Sequence, residues 1–319
     1  KPYPLIVALH SLHYDGTQPQ STWGLDELAR TAGFAVVYPD GLGRSWNAGT
    51  CCGTALATGS DDVGWLRALI GHLVTNYPID PQRVSIIGLS NGGMLAYRYA
   101  CEHGDELAGI AVVAGSLQVP ECSPPAPVTV VAIHGGADGH VPLAGAWWSE
   151  VLQTGITPLG LSLAPFRAKA GCPDPTRPTD TVLTGADGRP LGTSALPAAQ
   201  PGAVITGASH RTAAALAPAI PADPQAPASD IAPQQVPQQP ALPQPDPQQA
   251  VPPQAPAAEA AVAFRTETVC GTSARVVQYL LPALGHGWPP LAGDGAFATA
   301  EVIWELLEPA RSAVATPRL

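Results

Sequence analysis

RVSIIGLSNGGMLAYRYA, residues Arg83 to Ala100, contains the change of hydrophobic period that decides the fold. Val84 to Leu89 is a short apolar run rich in β-branched residues and reads as a buried strand. From Asn91 onward the pattern is helical. Between them lies Gly88-Leu89-Ser90-Asn91-Gly92, a G-x-S-x-G in the strand-turn-helix setting of a nucleophile elbow. Glycine is expected at 88 and 92 because so tight a turn brings two backbones together where a β-carbon would clash. Ser90 then stands at the head of a helix, whose terminal N–H groups and dipole favour negative charge.

The segments on either side repeat a strand-then-helix alternation. Leu5 to Leu9 reads as a first strand that delivers His10-Ser11-Leu12 to the carboxyl edge of a sheet. Trp23 to Ala32 has helical apolar spacing with Gly33 as its stop, and Phe34 to Tyr38 is a second strand closed by Pro39-Asp40-Gly41. Asn47 to Ser60, glycine-rich, reads as loop. Asp61 and Asp62 open a helix as cap and first-turn charge, with Val63, Leu66, Leu69, Ile70, Leu73 and Val74 on one stripe. Leu107 to Val113 and Val128 to Ile133 read as strands, the second leading into His134-Gly135-Gly136-Ala137-Asp138. Gly145 to Leu152 reads as a helix carrying Trp147 and Trp148. Arg275 to Leu281 is a late strand before Gly285-His286-Gly287-Trp288-Pro289, and Phe297 to Leu307 a closing helix. Such alternation implies βαβ units, so the expected class is α/β, a mostly parallel central sheet with helices on both faces.

One stretch departs from this pattern. From 195 to 261 the chain is dominated by Ala, Pro and Gln, a composition that buries too little to offset its ordering entropy. It reads as a disordered, low-complexity insertion within a single domain spanning 1–310, followed by a tail at 311–319. His210 lies inside it and is set aside as a catalytic candidate.

Bulk composition narrows the possibilities. Across 319 residues, 45% are hydrophobic and 13% charged, which fits a globular chain with a substantial core. A net charge of −10 and a pI near 5.1 disfavour nucleic acid as a partner, since a phosphate backbone rewards a basic face. No apolar run reaches the roughly eighteen residues of a membrane helix. Lys1 directly precedes a strand-like segment, so a leader is expected to have been removed or never present. Cysteines at 51, 52, 101, 122, 172 and 270 favour disulfides in an oxidising compartment, hence an exported protein. Cys101 with Cys122 and Cys172 with Cys270 are reasonable pairs; Cys51 and Cys52 pair with each other or exchange among the rest. His10-x-x-His13 and a vicinal cysteine pair do not make a metal site, so neither metal nor cofactor is expected.

A serine hydroxyl needs a histidine to take its proton and an acid to orient that histidine. With the chain order serine, acid, histidine, the candidates are Ser90, Asp138 and His286. His134 and His140 precede or crowd the acid loop. The oxyanion donors expected are the N–H of Asn91 and one from the loop after the first strand, Leu12 first and Ser11 as fallback. Trp46, Trp147 and Trp288 are expected to ring the site and hold substrate, with Trp148 a packing residue.

The motifs together, Ser45-Trp46-Asn47-Ala48-Gly49 with Cys51-Cys52-Gly53, Asp61-Asp62-Val63-Gly64-Trp65, Gly88-Leu89-Ser90-Asn91-Gly92-Gly93-Met94, His134 to Asp138 and Gly285 to Pro289, resemble the poly(3-hydroxybutyrate) depolymerase and feruloyl esterase family. The likeness covers residues 1 to about 170 and 265 to 310. It implies the α/β-hydrolase fold and a secreted serine esterase using Ser90, Asp138 and His286. Two departures stand out: His10-Ser11 where the family often has His-Gly, and a much longer segment between acid and histidine. The resemblance implies an ester substrate, hydroxyalkanoate polyester or oligomer first, feruloyl or acetyl esters of plant polysaccharide second. An acyltransferase, or a non-catalytic wall protein on the same fold, is the rival reading. Oligomeric state is not encoded in any of these motifs.

Overall fold

The computed structural model describes residues 1–173, 180–183, 203–205, 262–268, 270–290 and 296–313. In chain order these form β1 (Tyr3–Leu9), α1 (Thr17–Thr22), α2 (Leu25–Ala32), β2 (Ala35–Val37), α3 (Gly53–Ala57), α4 (Asp62–Asn76), β3 (Ile79–Leu89) and α5 (Asn91–His103). There follow β4 (Gly109–Val113), β5 (Thr129–Gly135), β6 (Ala146–Ser149), β7 (Thr154–Ile156), α6 (Leu159–Ala170), β8 (Asp180–Leu183), β9 (Ala203–Ile205), β10 (Val262–Thr268), β11 (Val276–Leu281) and α7 (Thr299–Ala313).

The strands β8-β10-β11-β5-β4-β3-β1-β2-β9 make one sheet. Its centre, from β11 through β5, β4, β3 and β1 to β2, is parallel, and β10 runs antiparallel between β11 and β8. Alternation along β1 shows how the sequence builds two layers of core. Leu5, Val7 and Leu9 pack on one face with Leu66, Leu69 and Leu73 of α4, Met94 of α5 and Phe166 of α6. Ile6 and Ala8 point to the other face, toward Leu25 and Leu28 of α2 and Ile303 and Leu307 of α7. With both faces covered, the central strands carry apolar residues at consecutive positions, as a buried parallel sheet requires. Asp61 caps α4 by accepting the Gly64 N–H at 2.9 Å. Gly33, at φ 75°, ends α2 in the left-handed conformation.

Several segments differ from the sequence reading. Residues 145–152 are not a helix. Ala146–Ser149 pairs antiparallel with Thr154–Ile156, and the connection ends at Gln153 with φ 55°. Trp147 and Trp148 are both exposed, on a two-stranded ribbon whose alternate side chains point to opposite faces, and no apolar stripe is left for a helix to bury. The segment 47–60 contains α3, and the polar residues 17–22 form α1, which lacks the apolar periodicity by which helices are recognised. Asp62 is fully buried and is more than a first-turn charge, accepting the Asn47 N–H at 2.6 Å and the Ser60 hydroxyl at 2.8 Å.

Within the stretch 195–261, Ala203–Ile205 forms β9 beside β2, and the remainder of it lies outside the described residues. The expected tail at 311–319 begins later, because α7 continues to Ala313. Disulfides join Cys51 to Cys52, Cys101 to Cys122 and Cys172 to Cys270. Among the described residues no helix is long and apolar enough to cross a membrane.

Candidate active site

Four connections leave the parallel strands at the same edge: 10–12 after β1, Ser90 after β3, 136–138 after β5 and 282–290 after β11. Ser90 has φ 53° and ψ −118°, a conformation that L-residues seldom adopt. It is held by its N–H donating to Val113 O at 2.8 Å and its carbonyl accepting the Met94 N–H at 2.8 Å. A β-carbon at Gly92 would overlap the carbonyl oxygens of Leu9 and His10, so the elbow and the β1 loop touch only because that residue is glycine. Gly135 plays the same part for the acid loop. A β-carbon there would run into the Leu284 and Gly285 carbonyls just before His286.

Asp138 and His286, 148 residues apart, meet at 2.8 Å between Oδ2 and Nδ1. The other carboxylate oxygen accepts the N–H groups of His140 at 2.9 Å and Val141 at 2.8 Å. Burial alone raises the Asp138 pKa. The hydrogen bond from His286 and that from the Val141 N–H more than offset this, and the carboxyl lies below its ordinary 3.8. An ionised carboxylate at Oδ2 fixes the hydrogen on His286 Nδ1 and leaves the Nε2 lone pair available. His134 lies 3.5 Å from the same oxygen but gives its Nε2–H to Val141 O at 2.7 Å, and burial lowers its pKa.

Ser90 and His286 line one cleft of about 890 Å³, together with Leu12, Gln18, His140 and Trp288. The His140 ring sits 4.7 Å from that of His286. Leu12 lines the cleft with Ser90, and Asn91 follows Ser90 directly. Asn91 is the first residue of α5, so its N–H has no intrahelical acceptor. The Leu12 N–H has no acceptor among the described residues. The Ser11 N–H is engaged, at 2.8 Å, by Gln18 Oε1, which removes Ser11 as an oxyanion donor in this arrangement.

Of the tryptophans expected to hold substrate, Trp288 lines the cleft and stacks on Trp23 at 4.0 Å with the ring planes 4° apart. Trp46 does not. It is fully buried, its indole N–H donating to His10 O at 3.0 Å and its backbone pairing with the Asn91 side chain. Trp147 is 91% exposed and faces a separate groove with Gln118 and Thr154, although Val151 and Leu152 of its hairpin do border the cleft. Trp148, expected to pack, is 38% exposed. Sequence reasoning missed Gln18, Tyr14, Trp23, Val151 and Leu152 as cleft residues, because nothing in the spacing of a short polar helix or an outer hairpin signals a wall.

Residues 60–158 match the sequence profile of the phospholipase/carboxylesterase family. The chain is 34% identical over 214 residues to NocK of Nocardia uniformis subsp. tsuyamanensis, a protein named as an esterase, covering 64% of this chain and 58% of that one. It is 28% identical over 162 residues to feruloyl esterase B of Piromyces equi, covering 48% and 29% of the two chains. Against poly(3-hydroxyalkanoate) depolymerase C of Paucimonas lemoignei it is 29% identical over 116 residues, covering 35% and 28%. The chain thus spans less than two thirds of the length of each of these relatives. Its parallel sheet flanked on both faces, its G-x-S-x-G turn and the carboxylesterase profile converge on the α/β-hydrolase fold, and over part of its length the chain is similar in sequence to feruloyl esterases and a poly(3-hydroxyalkanoate) depolymerase.

Proposed function

We propose that this chain is a serine esterase that cleaves carboxylic esters through an acyl-enzyme, with Ser90 as nucleophile, His286 as general base and Asp138 as its orienting acid. The observation that carries the reading is the 2.8 Å Asp138–His286 bond at the rim of the cleft that also holds the strained Ser90. His286 Nε2 takes the Ser90 proton as Oγ attacks the ester carbonyl, and the imidazolium is balanced by Asp138. The alcohol leaves with that proton, and water then repeats the sequence to free the acid. The Asn91 and Leu12 N–H groups stabilise the oxyanion at both stages.

For the substrate we take hydroxyalkanoate polyesters or their oligomers first and feruloyl or acetyl esters second. Support for the first comes from a largely apolar wall of Leu12, Val151, Leu152 and Trp288, and from the depolymerase relative. The second is favoured by Trp288, a flat ring lining the cleft and backed by the fully buried Trp23, which suits an aromatic acyl group, and by the feruloyl esterase relative. We further propose one catalytic domain exported to an oxidising compartment, a reading supported by the three disulfides.

The test is turnover of p-nitrophenyl butyrate, a 3-hydroxybutyrate oligomer and methyl ferulate by the protein and by Ser90→Ala. The expected loss in the variant is at least about a thousandfold in kcat. Turnover that survives the substitution would refute the mechanism, and transfer of the acyl group to an added sugar in preference to water would replace hydrolase by acyltransferase.

A further inference from the structure

Ser11 is held at three of its atoms. Its N–H donates to Gln18 Oε1 at 2.8 Å, and its hydroxyl accepts from Gln18 Nε2 at 2.9 Å. Its carbonyl accepts from His10 Nδ1 at 2.8 Å and from the Tyr14 N–H at 3.2 Å. The donor role of His10 Nδ1 follows from its other nitrogen, since Nε2 accepts the Gly41 N–H at 2.9 Å and therefore carries no hydrogen. In a trans peptide the carbonyl and the following N–H point in opposite directions, so fixing the Ser11 carbonyl also fixes the direction of the Leu12 N–H. That N–H has no acceptor among the described residues, and Leu12 lines the cleft with Ser90.

We infer that Gln18 is a positioning residue for the oxyanion hole: its side-chain amide clamps the Ser11 N–H and hydroxyl and so aims the Leu12 N–H at the reacting carbonyl. The inference rests on the esterase reading above. Gln18 does so from α1, a six-residue helix fastened at its start by the Gly16 N–H donating to Asp40 Oδ1 at 2.7 Å. The clamp fixes the amide side of Ser11 while His10 and Tyr14 fix its carbonyl side, so the Leu12 N–H keeps its direction only while both sides are held. A donor held in advance needs no reorganisation when charge develops on the substrate oxygen.

The experiment compares wild type with Gln18→Met, similar in length but unable to make either bond, and with Gln18→Glu. The expected result for Gln18→Met is a fall in kcat of about tenfold to a hundredfold, approaching the cost of losing one oxyanion donor. KM should stay within about threefold, and affinity for an alkyl boronic acid, which forms a tetrahedral anion on Ser90, should fall in step with kcat/KM. Competitive inhibition by the product acid, a ground-state ligand, should hardly change.

Gln18→Glu keeps the acceptor for the Ser11 N–H but sets a negative charge beside the oxyanion. Its kcat/KM relative to wild type should therefore rise as pH is lowered and the carboxyl becomes neutral, a response that loss of packing would not produce. The inference is overturned if Gln18→Met keeps kcat/KM within about twofold, or if boronate and product-acid affinities fall together. It is overturned as well if the Gln18→Glu ratio is flat with pH. Wild-type protein that turns over no ester would overturn the esterase reading and this inference with it, whereas normal wild-type turnover with unchanged Gln18→Met kinetics overturns the inference alone.

Discussion

Replacing Asn91 by leucine removes a buried amide that sits next to the proposed nucleophile yet points away from it. Asn91 Oδ1 accepts the Trp46 N–H at 2.7 Å and Nδ2 donates to Trp46 O at 2.8 Å, with both residues fully buried. The two bonds are not equivalent. Trp46 O also accepts the Cys52 N–H at 3.0 Å and keeps that bond in the variant, while the Trp46 N–H loses the acceptor that Asn91 supplies. A buried donor stripped of its acceptor costs about 1–3 kcal/mol, and a bond lost from a carbonyl that retains another costs about 0.5–1.5 kcal/mol. Leucine matches asparagine in heavy-atom number and branching but is bulkier, so overpacking adds to the lost bonds; the expected destabilisation is at least about 2–4 kcal/mol, or a fall in Tm of roughly 5–15 °C for a domain of this size. Urea unfolding at neutral pH with the disulfides intact, followed by far-UV circular dichroism, measures it. A loss below about 0.5 kcal/mol with unchanged m-value would refute the argument that this amide holds the 46–52 segment against the elbow. Asn91→Asp gives a second reading. It retains the acceptor but forces a carboxylate against the Trp46 carbonyl, so its folded-state pKa rises above the unfolded value and its stability should fall as pH climbs through that window.

Asp138→Asn should reduce kcat by about a thousandfold or more while leaving Tm within a few degrees, because an amide cannot hold His286 with its hydrogen on Nδ1 and also balance the imidazolium. Steady-state kinetics together with a thermal melt check both halves of that expectation. His10 and His134 both have pKa values lowered from 6.5, in each case chiefly by burial. Between 6.5 and those depressed values the unfolded chain binds protons that the native one does not, so stability should rise with pH through that window and decline as the solution is acidified. Unfolding free energies that are flat between about pH 7.5 and 5 would contradict it, and His134→Gln should flatten the slope in part.

The elbow was legible because its requirements are local. A buried strand, a turn admitting only glycine at 88 and 92, and a helix beginning at Asn91 are consequences of neighbours within a few residues of Ser90. The same holds for the β1, β5 and β11 runs, whose continuous apolar character reflects a sheet covered on both faces. The 145–152 segment failed for the complementary reason. Two adjacent tryptophans supply no decisive period, and its pairing with residues 154–156 is what makes it a hairpin.

Trp46 shows the limit most clearly. A tryptophan in a loop between glycines reads as a substrate platform, but its indole N–H finds the His10 carbonyl and its peptide finds Asn91, partners 36 and 45 residues away. Gln18 shows the reverse case, a polar residue with no motif around it that reaches Ser11 only because α1 folds back over the β1 loop.

By itself the sequence determined the sheet's parallel character, the position of Ser90 between strand and helix, and the order of candidate serine, acid and histidine, since these depend on short-range pattern and on chain order. Tertiary structure alone decided which donor is left unpaired beside the elbow, which aromatic rings reach the cleft and which side chains hold the loops in register. Those outcomes depend on contacts between residues far apart in the chain, and the free energy of such contacts exists only once the sheet has brought the loops to one edge.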